Sequence, residues 1–321
     1  MKIYFTNNST LQNFDNFLSK IDFSDEDKLE IFTDSHWVNT NPAGLVLAAA
    51  LAKSVGKKHA TIDDNSAASG AYLDAMGLYD FVSTVSPFHI DKKEPSGRYI
   101  PITNIKTEAE QTKFLTDIIP LLHLGREESL AIRYALYELV RNVLEHSMSK
   151  DGALVAAQYN KRKNKISIGI CDTGIGVKSS LNKYHHPKND LEALRLALMP
   201  GVSGTTSRPD GTEQNAGAGL FIVKSLARIT RSYFIIYSGD SLYKLLKYDK
   251  RVQKPRINAD PFDDRFSYKD NLPNFNGTLV GVDIALDDDE NFADLLETIK
   301  KTYSSAVRER KRKQYKRFRF V

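Results

Sequence analysis

Alternating runs of apolar and polar positions divide the first 95 residues into short strands and helices. Short apolar runs predict the strands, and apolar residues that recur every three or four positions predict the helices. The predicted strands are 2–5, 29–33 and 59–62, and the predicted helices are 11–21, 43–54 and 67–76. Strands that alternate with helices indicate an α/β layer.

A polar stretch at 91–97, DKKEPSG, indicates a linker, and a second set of elements follows it. Most of 174–217 is rich in Gly, Ser, Thr, Asn and Pro, and a polar insertion at 248–276 predicts a long surface loop. The predicted helices are 107–122, 127–149, 190–199, 219–229 and one from 292 onward, and the predicted strands are 153–160, 165–172, 232–237, 241–246 and 278–286. We expect an α/β protein with units at 1–95 and 96–289 and a C-terminal helix and tail at 290–321.

Composition narrows the class of protein. The single cysteine, Cys171, excludes an internal disulfide and a cysteine-based metal cluster. The chain contains no apolar run near the roughly 18 residues that span a bilayer. Its first residues, MKIYFTNNSTLQNF, lack the pattern of a signal peptide. These features predict a cytoplasmic protein without membrane contact.

The positive charge is concentrated at the C-terminus. The net charge is +5, but segment 308–319, RERKRKQYKRFR, contains eight Lys or Arg and one Glu, so the rest of the chain carries about −2. Aromatic residues interleave with these cations, which is typical of nucleic-acid binding through phosphate contacts and stacking. A solvated tail or a contact within a homodimer explains the segment equally well.

The helix predicted at 127–149 contains ELVRNVLEH and has two distinct faces. At about 3.6 residues per turn, its apolar residues form one stripe and its polar residues lie opposite. Such a polar stripe is usually solvated, and a ligand is the alternative. The polar residues are Glu138, Asn142, Glu145 and His146.

Three glycine-containing segments follow this helix. CDTGIGV places Asp172 at a strand end, where its carboxylate can accept a hydrogen bond from an exocyclic amine, and Gly174 and Gly176 allow a flat ligand to approach the backbone. A simple turn is the alternative. NAGAGLFIVK opens a helix behind Gly217 and Gly219, an arrangement that favours anion binding. The third segment, NGTLVGVDI, opens a strand.

Together and in this order, the four segments resemble the motifs of the GHKL superfamily, the ATP-binding domains of gyrase, the heat-shock chaperone, histidine kinases and MutL. The resemblance covers about 105–287 and implies a two-layer α/β sandwich that binds ATP and Mg²⁺. It implies that Asp172 binds the adenine amino group with support from Thr278, and that Asn142 coordinates Mg²⁺.

The resemblance also assigns the phosphate-binding region and a lid. Gly217, Gly219 and Leu220 would contact the phosphates, Gly174 and Gly176 would lie against the nucleotide, and 178–214 would form a mobile lid. Lys224 and Arg228, on the following helix, are candidates for phosphate contacts or for structural roles. The implied setting is a bacterial signalling protein with an unidentified protein partner.

Glu138 indicates which members of the superfamily the chain resembles most. An acid four residues before the asparagine resembles gyrase, MutL and the anti-sigma serine kinases, in which it serves as the base for phosphoryl transfer. The pattern Glu-x-x-x-Asn-x-x-x-His is most similar to the anti-sigma kinases. An autophosphorylating histidine kinase is disfavoured, because His123 does not stand in a phosphoacceptor sequence. The resemblance implies an ATPase; the alternatives are a serine/threonine kinase or an ATP-bound nucleic-acid-binding module.

Residues 1–95 are similar to the STAS fold of anti-sigma-factor antagonists in their helix pattern. The position of the phosphoacceptor hydroxyl in that family reads Pro42-Ala43-Gly44-Leu45 here, so phosphorylation there is not expected. A STAS-like unit fused to an ATP-binding domain implies regulation, by docking on the ATP site or its lid.

Overall fold

The computed structural model describes residues 1–63, 67–88, 98–122, 129–204, 218–249, 255–286 and 292–317. The fold is mixed α/β, as predicted, and contains a three-stranded and a seven-stranded sheet. The proposed linker at 91–97 and His123 lie outside the described residues. None of the helices within the described ranges combines the length and the apolar character needed to cross a bilayer.

The small sheet is parallel, with strand order β1-β2-β3. Helix α2 begins where Asn41 caps it, since the Asn41 side chain accepts a hydrogen bond from the Ala43 amide at 3.0 Å, and Pro42 occupies the first turn. Helices α1 and α3 begin later than predicted, because 3₁₀ turns replace their first residues, and α1 also ends three residues early. The elements are β1 (Lys2–Phe5), α1 (Phe14–Leu18), β2 (Leu29–Thr33), α2 (Pro42–Val55), β3 (Ala60–Ile62) and α3 (Ala71–Ala75).

The large sheet is antiparallel throughout, with strand order β4-β5-β6-β10-β7-β8-β9. Both edge strands were missed from the sequence. Pro101 argues against a strand in β4, but an edge strand tolerates proline. The prediction of a surface loop at 248–276 was wrong for the part that forms strand β9, which pairs with β8. The strands are β4 (Tyr99–Ile105), β5 (Ala153–Asn160), β6 (Lys165–Asp172), β7 (Phe234–Gly239), β8 (Ser241–Leu245), β9 (Phe266–Lys269) and β10 (Phe275–Ala285).

Six helices from the described residues pack on or beside one face of this sheet. Helix α6 was not predicted, because it starts within a glycine-rich turn. The C-terminal helix is confirmed and extends into the basic segment. These helices are α4 (Glu108–Leu122), α5 (Ser129–His146), α6 (Gly176–His185), α7 (Asp190–Ala197), α8 (Gly219–Ile229) and α9 (Phe292–Arg317).

Helix α2 covers the other face of the large sheet. Successive strand residues face opposite sides, so Ile170 packs with α5 and α8 whereas its neighbour Cys171 packs with α2. Gly169 and Gly281 are paired across β6 and β10 and make room for α2. A Cβ atom on Gly169 would lie 2.4 Å from the Ala43 nitrogen. The small sheet, α2 and the inner face of the large sheet therefore share one hydrophobic core.

Polar contacts reinforce this junction. The buried Asp283 carboxylate accepts hydrogen bonds from Ser167 Oγ at 2.6 Å and from Asn41 Nδ2 at 3.3 Å. Lys165 Nζ lies 2.5 Å from the same carboxylate. Because Asn41 caps α2, the start of that helix is bonded directly to strand β10.

Candidate functional site

A cleft opens between the sheet and the helices that pack on it. Helices α5, α6 and α8 form one side, and the ends of strands β6 and β10 form the other. Its empty volume is about 850 Å³, with the mouth included. Five residues assigned to ATP or Mg²⁺ from the sequence line it: Asn142, Asp172, Gly176, Leu220 and Thr278. Glu138, Gly174 and Gly219 lie beside it, and Gly217 lies outside the described residues.

Asp172 lines the cleft where strand β6 ends. It is the last residue of β6, is paired with Thr278 of β10, and is only 3% exposed. The Gly174 amide donates a hydrogen bond of 2.8 Å to its Oδ1 atom. Burial raises the pKa of Asp172 to about 6, although the amides of Gly174 and Thr278 oppose the rise. The side chain is therefore a hydrogen-bond acceptor held at a fixed position in a largely apolar cleft.

The turn after Asp172 requires glycine for two separate reasons. A Cβ atom on Gly174 would lie 1.9 Å from the carbonyl oxygen of Ser147, at the end of α5. Gly176 has a φ of +74°, which favours glycine. Ser238 fastens the far side, since its hydroxyl accepts from the Val177 amide at 3.0 Å and donates to the Gly277 carbonyl at 2.6 Å.

The start of α8 lies directly against the polar face of α5. A Cβ atom on Gly219 would lie 2.8 Å from Glu138 Cβ and 2.9 Å from Asn142 Nδ2. Only glycine permits this approach. The first turn of α8, with its free amide groups, is thereby brought next to Asn142 at the edge of the cleft.

The polar stripe of α5 divides into two parts. Glu138 is only 8% exposed and Asn142 lines the cleft. The interpretation of the stripe as an ordinary solvated helix face is therefore wrong for these two residues. Glu145 is exposed and pairs with Arg141 at 2.6 Å, as a surface residue does. His146 also lines the cleft, and burial lowers its pKa.

Burial also raises the pKa of Glu138. The Arg141 cation and the nearby Tyr134 hydroxyl oppose this rise. A carboxyl group with a raised pKa is a better proton acceptor than an exposed one. Glu138 lies one helical turn before Asn142, behind the cleft lining rather than within it.

Lys224 and Arg228 have structural partners. Lys224 is completely buried, and its Nζ lies 2.7 Å from Asp264, while Arg228 Nε lies 3.2 Å from the same carboxylate. Arg228 Nη1 also donates to the Tyr248 hydroxyl at 2.9 Å. Neither cation lines the cleft. They attach the segment after β8 to α8, so their structural interpretation is the one that fits.

Sequence reasoning missed the serines of the cleft. Ser147, Ser180 and Ser203 line it, and the last two come from the region predicted as lid. Buried Val177 and Leu181, four residues apart, are the signal that could have revealed α6. The described part of the predicted lid contains most of α6, all of α7 and residues up to 204, and 205–214 lie outside the described residues.

No protein-family model matches the chain, and a comparison with curated proteins finds no match. Within the part of the chain that the structure describes, no group of three or more His, Cys, Asp or Glu side chains is arranged to hold a metal ion.

Proposed function

We propose that the chain is a GHKL-type protein that binds Mg-ATP in this cleft and hydrolyses it, with the nucleotide controlling lid and partner contacts. One observation carries the proposal: residues from four separate segments, each assigned to ATP from its motif, meet at one cleft. Chance convergence of Asn142, Asp172, Leu220 and Thr278 would require unrelated motifs to fold onto the same small volume.

Asp172 provides the basis for base recognition. Its carboxylate would accept a hydrogen bond from the amino group of adenine. Guanine carries a carbonyl oxygen at that position, and two acceptors that face each other in a buried site repel. Gly176 lines the cleft beside Asp172 and Thr278, where the base would lie. The proposal therefore predicts selectivity for ATP over GTP.

Asn142 and the start of α8 suit the triphosphate. An amide oxygen suits Mg²⁺, which commonly takes one or two protein ligands together with phosphate and water oxygens. When bound, Mg²⁺ would neutralise charge on the phosphates. The Gly219 backbone fits the same role, because the free amides of a helix N-terminus attract anions.

Glu138 would act as the base. Its buried carboxylate, one turn from Asn142, would accept the proton of the attacking water. The hydroxyl of a protein substrate could lose its proton to the same group, so the serine/threonine kinase stays the second candidate. Glu138 favours both activities over an ATP-bound module without chemistry.

The STAS-like identity of 1–95 belongs to the same proposal, with one change. Helix α2 packs on the face of the sheet opposite to the cleft, so this unit would act through β6 and β10. Those strands carry Asp172 and Thr278. The proposed regulation therefore rests on the contact between the N-terminal unit and these strands, and not on docking of that unit on the lid.

Products of γ-labelled ATP test the proposal. Incubation of the full chain with labelled ATP and Mg²⁺ should release label as free phosphate. Transfer of label to an added protein would favour the kinase alternative instead. Label that stays on ATP under all conditions would contradict both.

A further inference from the structure

The two halves of α9 have opposite characters. The first half buries apolar residues against α5 and α8, among them Phe292, Leu295 and Ile299. From Arg308 to the end of the helix, ten residues contain seven Lys or Arg and one Glu. Several of these cations are four residues apart, which destabilises an isolated helix through like-charge repulsion. A polyanion would remove that repulsion.

Arg310 connects the basic half to the cleft. Its Nη1 atom donates a hydrogen bond of 2.9 Å to the carbonyl oxygen of Pro200. Pro200 follows α7 and stands two residues before the segment Val202, Ser203 and Gly204, which lines the cleft. The guanidinium is half-buried, unlike the exposed side chains of Arg308 and Arg312.

The apolar half of α9 packs on α5 and α8, two helices that contribute other residues to the cleft lining. Lys300 Nζ lies 5.0 Å from the centre of the Tyr134 ring, one turn before Glu138 on α5. The Tyr303 ring lies 6.0 Å from the ring of Phe221 on α8. Helix α9 thus contacts α5, α8 and the 200–204 segment.

We propose that the basic half of α9, residues 308–317, binds nucleic acid, and that the contact between Arg310 and Pro200 links this binding to the nucleotide cleft. The link rests on the proposed function, whereas the binding surface does not. Phosphates that attract Arg310 would compete with the Pro200 carbonyl and so release one wall of the cleft.

Nucleic acid fits this surface better than a membrane does. A helix that lies on a membrane needs an apolar face, and Tyr315 is the one apolar or aromatic residue of 308–317. An α-helix fits the major groove of a duplex, whose phosphates supply about one charge per 1.7 Å. A dense, nearly uniform row of cations matches that charge density.

The link is reciprocal. If nucleotide changes the affinity for nucleic acid by some factor, nucleic acid must change the affinity for nucleotide by the same factor. Couplings of this kind are typically about 5-fold to 150-fold. The two affinities can be measured separately on the full chain.

Fluorescence anisotropy of a short labelled DNA duplex tests the surface. Affinity should fall linearly with salt on logarithmic axes, and a double variant, Arg308→Ala with Arg312→Ala, should reduce that slope by about two. The matched control is Lys57→Ala with Lys58→Ala, which removes two exposed cations from the N-terminal unit and should change neither slope nor affinity. Equal losses in both variants, or no salt-dependent binding, would overturn the proposal.

The link has its own test. A non-hydrolysable ATP analogue with Mg²⁺ should shift the duplex affinity of the unaltered chain, and Arg310→Ala should abolish the shift while the variant still binds duplex. A shift that persists in Arg310→Ala overturns the link.

Binding to phosphatidylserine vesicles without binding to duplex overturns the nucleic-acid assignment in favour of a membrane.

Nucleotide binding measured alone separates the two proposals. If the analogue binds but the duplex does not, only the inference about α9 fails. If the duplex binds but the analogue does not, the proposed ATP function fails and the link fails with it.

Discussion

At the scale of single residues, two buried carboxyl groups carry the proposed chemistry: Asp172 lines the cleft, and Glu138 lies behind its lining. Burial raises the pKa of both groups, because the charged carboxylate is less stable in the protein interior than in water. A chain selected only for stability would replace them with neutral residues. Carboxyl groups held at raised pKa values in or beside a cleft are typical of functional sites, which is the reason to test them separately.

Glu138→Gln should separate binding from chemistry. The amide keeps the shape of the side chain but cannot accept a proton, so we expect turnover of ATP to fall by about 10²-fold to 10⁴-fold. Affinity for Mg-ATP should change only a few-fold. Steady-state phosphate release and direct binding measurements supply the two readouts.

Glu145→Gln is the matched control, because Glu145 lies on the same helix but is exposed and paired with Arg141. It should leave turnover near that of the unaltered chain. Loss of nucleotide binding in Glu138→Gln, without loss of fold, would show that the carboxylate binds the ligand and is not the base. In the unaltered chain, turnover should fall as pH drops and Glu138 becomes protonated.

Asp172 should leave a signature in the pH dependence of stability. Its pKa is about 6 in the folded protein against an ordinary value of 3.8, so the folded state holds this proton more tightly. The resulting stabilisation is present below the ordinary value and is lost as pH rises through about 6. Relative to Asp172→Asn, the unaltered chain should lose on the order of 2–3 kcal/mol across that range.

Urea unfolding of both proteins at several pH values measures this difference. The comparison cancels the titration of all groups that the two proteins share. A constant difference between about pH 4 and 7 would mean that burial does not perturb Asp172, contrary to its place in the cleft.

At the scale of elements, the local sequence pattern was sufficient to predict helices and strands where the apolar pattern was unambiguous. Strands β5 and β6 and helix α8 have their predicted bounds, since sustained apolar runs end there at polar or glycine positions. Strand β4 was missed because Pro101 obscured it, and α6 because glycines precede it. In these cases the tertiary setting overrides the local signal.

The candidate site shows the same limit. Asp172 and Asn142 could be predicted because each stands in a motif whose order along the chain is informative. Ser180 and Ser203 could not, since α6 and the segment after α7 bring them to the cleft. The role of Lys224 depends on Asp264, 40 residues further along the chain, and no local pattern contains that contact.

The paired glycines beneath α2 give a prediction at this scale. Gly169→Ala would place Cβ 2.4 Å from the Ala43 nitrogen and 2.5 Å from the Pro42 carbonyl carbon, backbone atoms that cannot rotate away. We expect a loss of about 1–3 kcal/mol in the free energy of unfolding. Chemical denaturation measures it.

Gly281→Ala is the matched comparison on the neighbouring strand. The three atoms nearest to its Cβ are side-chain atoms at 2.9 Å; those of Leu11 and Ile235 can shift, and only Ala43 Cβ is fixed to the backbone of α2. It should cost less than Gly169→Ala. An equal or larger cost would mean that α2 is not seated on β6 as described.

At the scale of the whole molecule, the N-terminal unit completes the core of the large sheet. Residues Leu154, Cys171 and Leu279 of the sheet belong to the same hydrophobic cluster as α2. The unit therefore supports the strands that carry Asp172 and Thr278. A boundary near 95 in the sequence does not separate two independent cores.

Unfolding should accordingly be a single transition. Hydrogen exchange of the α2 amides, followed against denaturant, reports on the N-terminal unit, and far-UV circular dichroism reports mainly on the rest. The two probes should give coincident denaturation curves. A chain that lacks residues 1–95 should fail to fold, because its sheet would expose the apolar face that α2 covers. Separate transitions, or a stable truncated protein, would contradict the shared core.

Calorimetric titration with Mg-ATP and Mg-GTP is the most direct test of the central claim, that this cleft is an ATP site with Asp172 as the adenine acceptor. The account predicts that the unaltered chain binds Mg-ATP more tightly than Mg-GTP, and that Asp172→Asn loses both affinity for ATP and this preference. Absence of binding, or an Asp172→Asn variant that binds ATP with unchanged affinity and preference, would contradict it.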